Sequence, residues 1–314
     1  MTDRKALLFG VVAFGMWGFF PAFFHLLLPA GAVEILAHRV VWTALVMAVA
    51  LLLLRRLGEL RTLSRRDWAL LLCTSAMLLT NWLLFTIAVN GGNIVDSALG
   101  YFINPLVSVA LGILIFRERL NRAQSVALLI AIGAVGLLSA GTERAPWVAL
   151  GIAFSFALYG ALHKALPVDP AVSVAAETAI ATPFAIGYLV ALEVGGNGNF
   201  TDNGPPHIVL TVLSGVITAF TLMLFAAATQ RLPLVTMGLL QFLMPSLQLM
   251  WALLAGHETM SATRWTSWAL IWLALVLFSA DAVLRARDRQ PPGWESAPRE
   301  SRRSANSPSV EHDT

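Results

Sequence analysis

Polar and ionisable side chains recur inside long apolar stretches of this sequence, where each of them needs a partner or water. Ser97, Tyr101, Asn104 and Ser108 follow one another at intervals of four, three and four residues, which places them on one face of a helix. Such a face can hydrogen-bond a solute, or it can bond a neighbouring helix. Both interpretations stay open at this point.

A second apolar stretch carries Glu34, His38 and Arg39. Glu34 and His38 share a helical face, and Arg39 lies one position around the helix. Charges inside a membrane are costly, so each of them needs a role or a partner. The group predicts either a role in gating or in recognition of substrate charge, or a structural Glu34–Arg39 pair near the outer interface. Asp96 and Glu177 are further carboxylates in apolar segments. Proton coupling is predicted through Glu34, Asp96 or Glu177.

Two prolines lie at matching places in two apolar segments. Pro105 and Pro245 are 140 residues apart. A proline has no N–H for the carbonyl four residues earlier, so helix kinks are predicted there, with the carbonyls of Tyr101 and Gln241 free. The same offset relates two more pairs, Phe85 with Phe225 and Glu118 with Glu258. The sequence therefore predicts an internal repeat.

Several side chains in the apolar segments could form the wall of a binding site. Aromatic walls with a few hydrogen-bonding groups suit a largely apolar or aromatic solute, although tryptophans within a span also serve packing. The predicted substrate-binding residues are Trp17, Asn81, Trp82, Tyr101, Asn104, Tyr159, Gln241 and Gln248.

Composition places these residues in a membrane. Hydrophobic residues make up 57% of the chain and charged residues 12%, which is too few charges for the exterior of an ordinary soluble domain. Ten segments are long and apolar enough to cross a bilayer, at about 6–28, 33–54, 67–90, 93–116, 122–140, 145–165, 171–192, 207–230, 233–255 and 263–284.

The distribution of Lys and Arg sets the predicted topology. They are concentrated near the N-terminus, in alternate loops and after residue 285, whereas the other loops contain only Arg144 and Arg264. Both termini are therefore predicted to be cytoplasmic. The predicted fold is an all-α integral membrane protein with ten transmembrane helices in two inverted five-helix repeats, 1–141 and 142–284. Residues 285–314, rich in Pro, Ser, Arg and Glu, are predicted to be a disordered tail.

Inverted repeats are typical of secondary transporters, which bind substrate between the halves near the membrane midplane. The sequence predicts alternating-access export of a small organic metabolite or a drug-like amphipathic solute, with protons as the candidate coupling ion. A facilitative channel or exchanger stays an alternative, as does, with less support, an intramembrane enzyme. No catalytic, metal, cofactor or nucleic-acid motif is present in the sequence.

A face of small residues is predicted on the fifth segment, where Ala127, Ala131, Gly133, Gly136 and Ala140 recur at helical spacing. Such a face packs against a helix of the same chain or of a second copy. The sequence therefore leaves a monomer and a homodimer open.

Four strings of residues resemble the RarD group of bacterial permeases, within the EamA family of the drug/metabolite transporter superfamily. They are Glu34-Ile-Leu-Ala-His-Arg39, Asn81-Trp-Leu-Leu-Phe85, Gly100-Tyr-Phe-Ile-Asn-Pro105 and Ala153-Phe-Ser-Phe-Ala157. The resemblance covers about residues 5–285. It implies a ten-helix fold of two EamA repeats in the bacterial inner membrane. The group's name links it with chloramphenicol sensitivity, but the resemblance implies no particular substrate.

Overall fold

A computed structural model describes residues 4–90, 94–139, 147–255 and 262–288, and this part of the chain is almost entirely helical. The helices are α1 (Arg4–Gly18), α2 (Phe20–His25), α3 (Ala32–Leu53), α4 (Glu59–Thr62), α5 (Arg65–Asn90), α6 (Ile94–Leu114), α7 (Arg122–Ser139), α8 (Trp147–Ala165), α9 (Pro170–Val194), α10 (Gly204–Arg231), α11 (Leu234–Leu240), α12 (Leu243–Ala255) and α13 (Ala262–Asp288).

Apolar length identifies the membrane crossings. Six segments are long and apolar enough to span a bilayer, namely Arg4–His25, Ala32–Leu53, Arg65–Phe85, Trp147–Ala165, Pro170–Val194 and Gly204–Arg231. Four shorter apolar helices follow at Gly100–Leu114, Arg122–Leu137, Leu234–Gln248 and Trp265–Phe278. The predicted all-α integral membrane fold is confirmed, and these segments are consistent with ten crossings.

Consecutive crossings alternate in direction, so the loops fall at two ends of the bundle. One end holds most of the Lys and Arg residues of the loops, and we call it the basic end. It carries the start of α1 and the loops 54–64, 115–121, 166–169 and 232–233. The far end carries the loops 26–31 and 195–203. The last helix ends at Asp288, a few residues beyond the predicted span, and the rest of the predicted tail lies outside the described residues.

The contacts between helices repeat in the two halves. Corresponding helices meet directly, because α3 packs on α9, α6 on α11 and α7 on α13. The contact of α6 with α8 is matched by that of α1 with α12, and the contact of α5 with α8 by that of α1 with α10. A pseudo-twofold relation between the halves would give this pattern. The repeat boundaries at 1–141 and 142–284 stay a prediction.

The first crossing is interrupted next to Pro21, where α1 ends at Gly18 and α2 begins two residues later, at Phe20. Pro21 has no N–H for the carbonyl of Trp17, and the Nε2 amide of Gln248 donates to that carbonyl at 3.4 Å. A Cβ added at Gly18 would lie 2.6 Å from Cβ of Leu247, so α1 and α12 approach closely here. The break and the close approach bring Gln248 into the middle of the bundle.

The two predicted proline kinks differ in the structure. Helix α6 continues through Pro105, whereas the ninth crossing is broken between α11 and α12, ahead of Pro245. The carbonyl of Gln241 accepts the N–H of Met244 at 3.2 Å. The prediction that this carbonyl is free was therefore wrong, because the chain tightens into a three-residue turn that supplies another donor.

The small residues of α7 do not form one face. Ala127 and Ala131 are fully buried in the core, on the helix that packs against α13. Gly133 and Gly136 are exposed, and a Cβ at either would meet nothing within 4 Å. The prediction of a single packing face was wrong for these residues, since two of them point inward and two outward. Ala140 lies outside the described residues.

Candidate functional site

A cavity of about 230 Å³ lies in the middle of the bundle and is lined by side chains of both halves. Helices α1, α2, α3, α5 and α6 form one part of its wall, and α8, α12 and the α11–α12 break form the rest. Seven of the eight predicted binding residues line it, namely Trp17, Asn81, Trp82, Tyr101, Asn104, Gln241 and Gln248. The other lining residues are mostly aromatic: Phe14, Phe20, Phe24, Arg39, Leu78, Phe85, Phe156 and Met244.

The eighth predicted residue, Tyr159, lies behind the cavity wall. Its side chain is fully buried and stacks on Phe225 with ring centroids 5.5 Å apart. Phe156 stands between Tyr159 and the cavity, with its ring centroid 5.7 Å from that of Tyr159. The predicted residues are thus brought together with this one exception, while substrate binding by them stays a prediction.

A second cavity of about 330 Å³ adjoins the first. Four residues line both, namely Phe24, Arg39, Trp82 and Phe85. The second cavity also reaches Leu28, in the loop at the far end. The two cavities together lead from the middle of the bundle towards the far end.

The polar stripes of the two halves meet where α6 contacts α11. The hydroxyl oxygen of Ser108 lies 3.3 Å from Oδ1 of Asn104 and 3.2 Å from Oε1 of Gln241. A hydroxyl has one proton, so it donates to one of these oxygens at a time. A Cβ at Gly238 would lie 2.8 Å from the carbonyl oxygen of Pro105. Glycine therefore permits the close approach that joins the stripes.

Asn81 has a mainly structural set of contacts although it lines the cavity. Its Nδ2 amide donates to the carbonyl of Ile152 at 2.9 Å and to the hydroxyl of Ser155 at 3.2 Å. These bonds tie α5 to α8. Asn81 consequently has less hydrogen-bonding capacity left for a solute than Tyr101, whose hydroxyl has no hydrogen-bond partner within the described residues.

Arg39 supplies the positive charge of the cavity, and its residue is only 7% exposed. Its guanidinium carbon lies 4.9 Å from the ring centroid of Phe20, 5.0 Å from that of Phe24 and 5.1 Å from that of Trp82. Its Nε–H donates to the hydroxyl of Thr218 on α10 at 3.0 Å. Throughout the described ranges, Nη1 and Nη2 have no hydrogen-bond partner and no carboxylate forms an ion pair with this side chain.

Glu34 and His38 hold the far-end loop 195–203 against α3. The carboxylate of Glu34 accepts the backbone N–H of Asn199 at 2.6 Å and its Nδ2 amide at 2.9 Å. The His38 ring stacks on Phe200 with centroids 4.5 Å apart. The alternative of a structural Glu34–Arg39 pair was therefore wrong, because Asn199 satisfies the carboxylate instead.

Glu177 is the centre of a closed polar cluster on the basic side of the bundle, and it is 1% exposed. Thr74 donates to Oε1 at 2.7 Å and Tyr159 to Oε2 at 3.3 Å. Nε2 of His163 lies 2.9 Å from Oε1, but the oxygen is off the direction in which the ring N–H points. Ser75 donates to the backbone carbonyl of Glu177 at 3.0 Å.

Sequence reasoning missed His163 and Thr74. His163 follows Tyr159 by four residues on α8, a spacing that puts both on one helix face and was available as a signal. Thr74 lies on α5 and reaches Glu177 only through tertiary packing. No local pattern marks such a contact.

An aromatic floor separates this cluster from the cavity. We use that name for Phe14, Trp17, Phe156 and Phe225. The Phe225 ring centroid lies 5.9 Å from that of Phe14, 5.4 Å from that of Trp17 and 5.5 Å from that of Phe156.

The predicted charged residues form three groups instead of one. Glu34 and His38 lie at the far end, Arg39 at the cavity and Glu177 beneath the floor. The side chains of Asp96 and Ser97 lie outside the described part of the chain.

Bonds between the halves hold the basic end together. The carboxylate of Glu118 accepts the backbone N–H groups of Leu234 and Val235, each at 2.8 Å. Lys164 lies 3.2 Å from the same carboxylate and donates to the carbonyl of Leu232 at 2.7 Å. Glu118 therefore fixes the start of α11. Its counterpart at the 140-residue offset, Glu258, lies outside the described residues.

A second contact between the halves lies nearby at the surface. Arg56 pairs with Glu59 at 2.6 Å and reaches Asp169, the N-cap of α9, at 3.2 Å. The hydrogen bonds from Arg56 lower the pKa of Glu59. Those to Glu59 and then Asp169 raise the pKa of Arg56. Both members of the pair are consequently charged at neutral pH.

Comparisons with known proteins agree with this architecture. Residues 4–140 match the EamA-like transporter family. The chain is 45% identical over 287 residues to "Protein RarD" of Streptomyces exfoliatus, covering 91% of each chain. It is 39% identical over 286 residues to "Uncharacterized transporter YojE" of Bacillus subtilis, covering 89% of this chain and 95% of that one.

A solved crystal structure has the same fold, with a TM-score of 0.68 at 17% identity, and covers 88% of this chain and 99% of that chain. The relatives with high sequence identity show more than the fold, because the match extends over nearly the whole of each chain. The matching family and the Bacillus subtilis relative are both described as transporters. The resemblance drawn from four short strings is confirmed. This chain belongs to the EamA-like transporter family and is a multi-pass membrane transporter of the RarD type.

Proposed function

We propose that this protein is a secondary transporter that exports a small organic metabolite or a drug-like amphipathic solute across the bacterial inner membrane by alternating access. One observation carries the proposal. The cavity between the halves continues towards the far end, whereas bonds of Glu118 and Arg56 hold the halves together at the basic end. With the basic end in the cytoplasm, as the positive-inside rule predicts, this arrangement corresponds to an outward-open state.

The opposite state follows from the repeated helix contacts. Rocking one half against the other would close the far end and open the basic end. The contacts of Glu118 with Lys164 and of Arg56 with Asp169 would then separate. Because the helix neighbours of the two halves correspond, the second state can have packing similar to the first.

The size and lining of the cavity support a small solute with an apolar body. Pockets for drug-sized ligands usually measure about 300–1,000 Å³, so 230 Å³ lies below that range. Aromatic rings make up most of the wall and would cover apolar surface. Tyr101, Asn104 and Gln241 lie on one side and would fix orientation by hydrogen bonding.

Proton coupling through Glu177 is part of the proposal. Glu177 is the carboxylate that lies directly beneath the aromatic floor, whereas Glu34 is held by Asn199 at the far end. Opening of the basic end would admit water to the cluster and allow a proton to exchange there. In proteoliposomes, an imposed pH gradient should drive flux in the wild type, and Glu177→Gln should remove that dependence. Flux that ignores the gradient in the wild type contradicts the coupling and favours an exchanger or facilitated diffusion.

The solute and its direction can be found without a prior candidate. Metabolite profiling of media from deletion and overexpression strains should reveal compounds whose external level falls and rises, respectively. Each is then tested for flux in proteoliposomes. A transporter gives saturable flux and no unitary currents, whereas the channel alternative predicts the reverse. An exported level that does not respond to the protein contradicts the proposal.

The orientation needs its own test. A fluorescent protein that matures only in the cytoplasm, fused after residue 314, should fluoresce in intact cells. An alkaline phosphatase fused at the same point should be inactive, because that enzyme needs an oxidising compartment. The reverse pair of results contradicts the outward-open assignment.

A further inference from the structure

We propose that the transported solute carries a carboxylate, or a small anionic group of the same hydrogen-bonding geometry, and that Arg39 binds it. This inference rests on the proposed transport function and names the substrate class of the same cavity. The guanidinium of Arg39 would pair with the anion while the aromatic wall covers the apolar body of the solute.

The first argument is the incomplete environment of Arg39. A guanidinium has five N–H donors, and in the described part of the chain only the Nε–H is hydrogen-bonded, to Thr218. Three aromatic rings lie within 5.1 Å of its carbon. Their faces attract a cation, but they accept only weak N–H···π contacts and do not replace a carboxylate acceptor. The outer edge of the guanidinium, which matches a carboxylate in a two-point contact, is therefore left for a ligand.

The second argument is the balance of charge around the cavity. Among the described residues that line either cavity, Arg39 is the sole formally charged side chain apart from the ionisable His25. The two carboxylates that are buried within the described residues are already engaged, Glu34 with Asn199 and Glu177 with Thr74 and Tyr159. An isolated charge in a membrane is costly unless it is paired or hydrated. A ligand anion would supply the missing partner.

The third argument is the character of the neighbouring polar groups. The hydroxyl of Tyr101 has no partner in the described ranges. The amide oxygens of Asn104 and Gln241 face the Ser108 hydroxyl, and their NH₂ groups donate no hydrogen bond to any described residue. The cavity thus offers donors beside a cation, and that set is complementary to an anion.

The position of Arg39 also fits a substrate path. It lines both cavities, so an anion moving between the middle of the bundle and the far end would pass it. Its place about two turns into α3 keeps it within the span. A residue needed only to anchor the helix end in the interface would lie closer to the first turn.

Pairs of acids and their amides test this inference, because the two members differ in charge and little in shape. The probes are benzoate and benzamide, phenylacetate and phenylacetamide, and hexanoate and hexanamide. Binding to the full chain in lipid nanodiscs is measured by titration calorimetry at neutral pH. At least one acid should bind roughly 10- to 100-fold more tightly than its amide, as expected for hydrogen bonds to a charged group.

Substitutions then assign the preference to Arg39. In Arg39→Gln the ratio of acid to amide affinity should fall to near one, and in Arg39→Lys a reduced preference should persist because the charge is kept. Arg66→Gln, an exposed arginine at the basic end, is the matched control and should keep the wild-type ratio. Thermal unfolding of each variant shows whether it is folded.

Three results overturn the inference. The first is that the wild type binds every acid and its amide with equal affinity. The second is that Arg39→Gln keeps the preference for the acid. The third is that both Arg39 variants lose binding of acid and amide alike, which would indicate a structural role for Arg39. Saturable flux of an uncharged solute found by profiling also overturns it, while leaving the transporter proposal intact. Absence of saturable flux for every profiled solute instead contradicts the proposed function itself.

Discussion

Arg39 and Glu177 occupy corresponding places in the two halves but have opposite surroundings. Each lies seven residues beyond the first residue of its helix, α3 or α9, and these two helices pack on each other. Arg39 borders a cavity and has one hydrogen bond. Glu177 lines neither of the two cavities described above, and Thr74, Tyr159 and His163 surround its carboxylate.

The difference follows from the state of each end of the bundle. The helices run in opposite directions, so Arg39 lies towards the open far end and Glu177 towards the closed basic end. A buried ionisable group is stabilised either by partners within the protein or by an external one. Glu177 has the first arrangement in this state. Arg39 has room for the second, which is why we assign it to the solute.

The largest expected effect is a difference in stability between substitutions of the two residues. Glu177→Leu should lower the free energy of unfolding by about 2–4 kcal/mol, because it removes a buried hydrogen-bonded carboxylate and leaves the hydroxyl of Tyr159 without an acceptor, whereas Thr74 keeps the carbonyl of Leu71. Arg39→Met should cost no more than about 1 kcal/mol, since the flexible side chain can cover the same rings and no buried acceptor but Thr218 loses its donor. Thermal unfolding in detergent measures both. Equal losses of stability in the two variants would contradict the proposed difference between the surroundings of Glu177 and Arg39.

A smaller effect tests the close approach of α6 and α11 that brings the cavity-side polar groups together. Gly238→Ala should destabilise the protein by about 1–3 kcal/mol, because its Cβ would press on the carbonyl of Pro105. Gly133→Ala is the matched control on an open helix face and should stabilise by up to about 1 kcal/mol. Opposite signs in chemical unfolding are expected. A neutral Gly238→Ala would show that the helices can separate freely.

The closed basic end gives a third prediction, on conformational equilibrium. In a Cys73→Ser background, Leu234→Cys places a thiol where the side chain is buried in this state. Adding Glu118→Gln weakens the bonds to α11, and the rate of maleimide labelling should rise about tenfold, equivalent to about 1.4 kcal/mol. Glu193→Gln, at the exposed far end, is the control. Unchanged labelling would mean that Glu118 does not hold the end closed.

The smallest effect is expected at the Arg56–Glu59–Asp169 contact. Arg56→Gln should change the free energy of unfolding by less than about 1 kcal/mol, because exposed ion pairs contribute little. The hydrogen bond from Arg56 lowers the folded-state pKa of Glu59. The contribution of the pair to stability is therefore fully present at pH values above the ordinary pKa of a glutamate, and it is lost as the pH falls through the lowered pKa. Unfolding measured against pH checks both points. A larger loss of stability at neutral pH would mean that the Arg56 contact, more than Glu118, holds the basic end closed.

Much of the fold was predictable because the bilayer imposes length and apolarity on each crossing. The cavity side of α6 was also predictable, since the spacing of Tyr101 and Asn104 defines a helix face whatever lies opposite. The offset of 140 residues then led to Gln241, which does meet that face. The helical spacing of polar residues and the 140-residue repeat can both be read from the sequence, and both hold in the structure.

Partners across distant helices were not predictable in the same way. Glu34 is bound by Asn199 and not by Arg39, because a loop 165 residues away folds back onto α3. The Glu177 cluster joins α5, α8 and α9, and nothing in the local pattern of any one helix shows the others. The turn at Gln241 differs from the expected free carbonyl for a similar reason: the backbone relaxes towards whichever donor is near.

Transport through the cavity is tested most directly by two tyrosine substitutions in one flux assay. Tyr101 faces the cavity, whereas Tyr188 is exposed on the outside of α9. With the solute identified by profiling, Tyr101→Leu should reduce saturable flux into proteoliposomes by at least tenfold, consistent with loss of a hydrogen bond to a charged group, and Tyr188→Leu should retain it at equal protein content. Wild-type flux in Tyr101→Leu, or equal loss in both variants, would contradict a substrate path through this cavity.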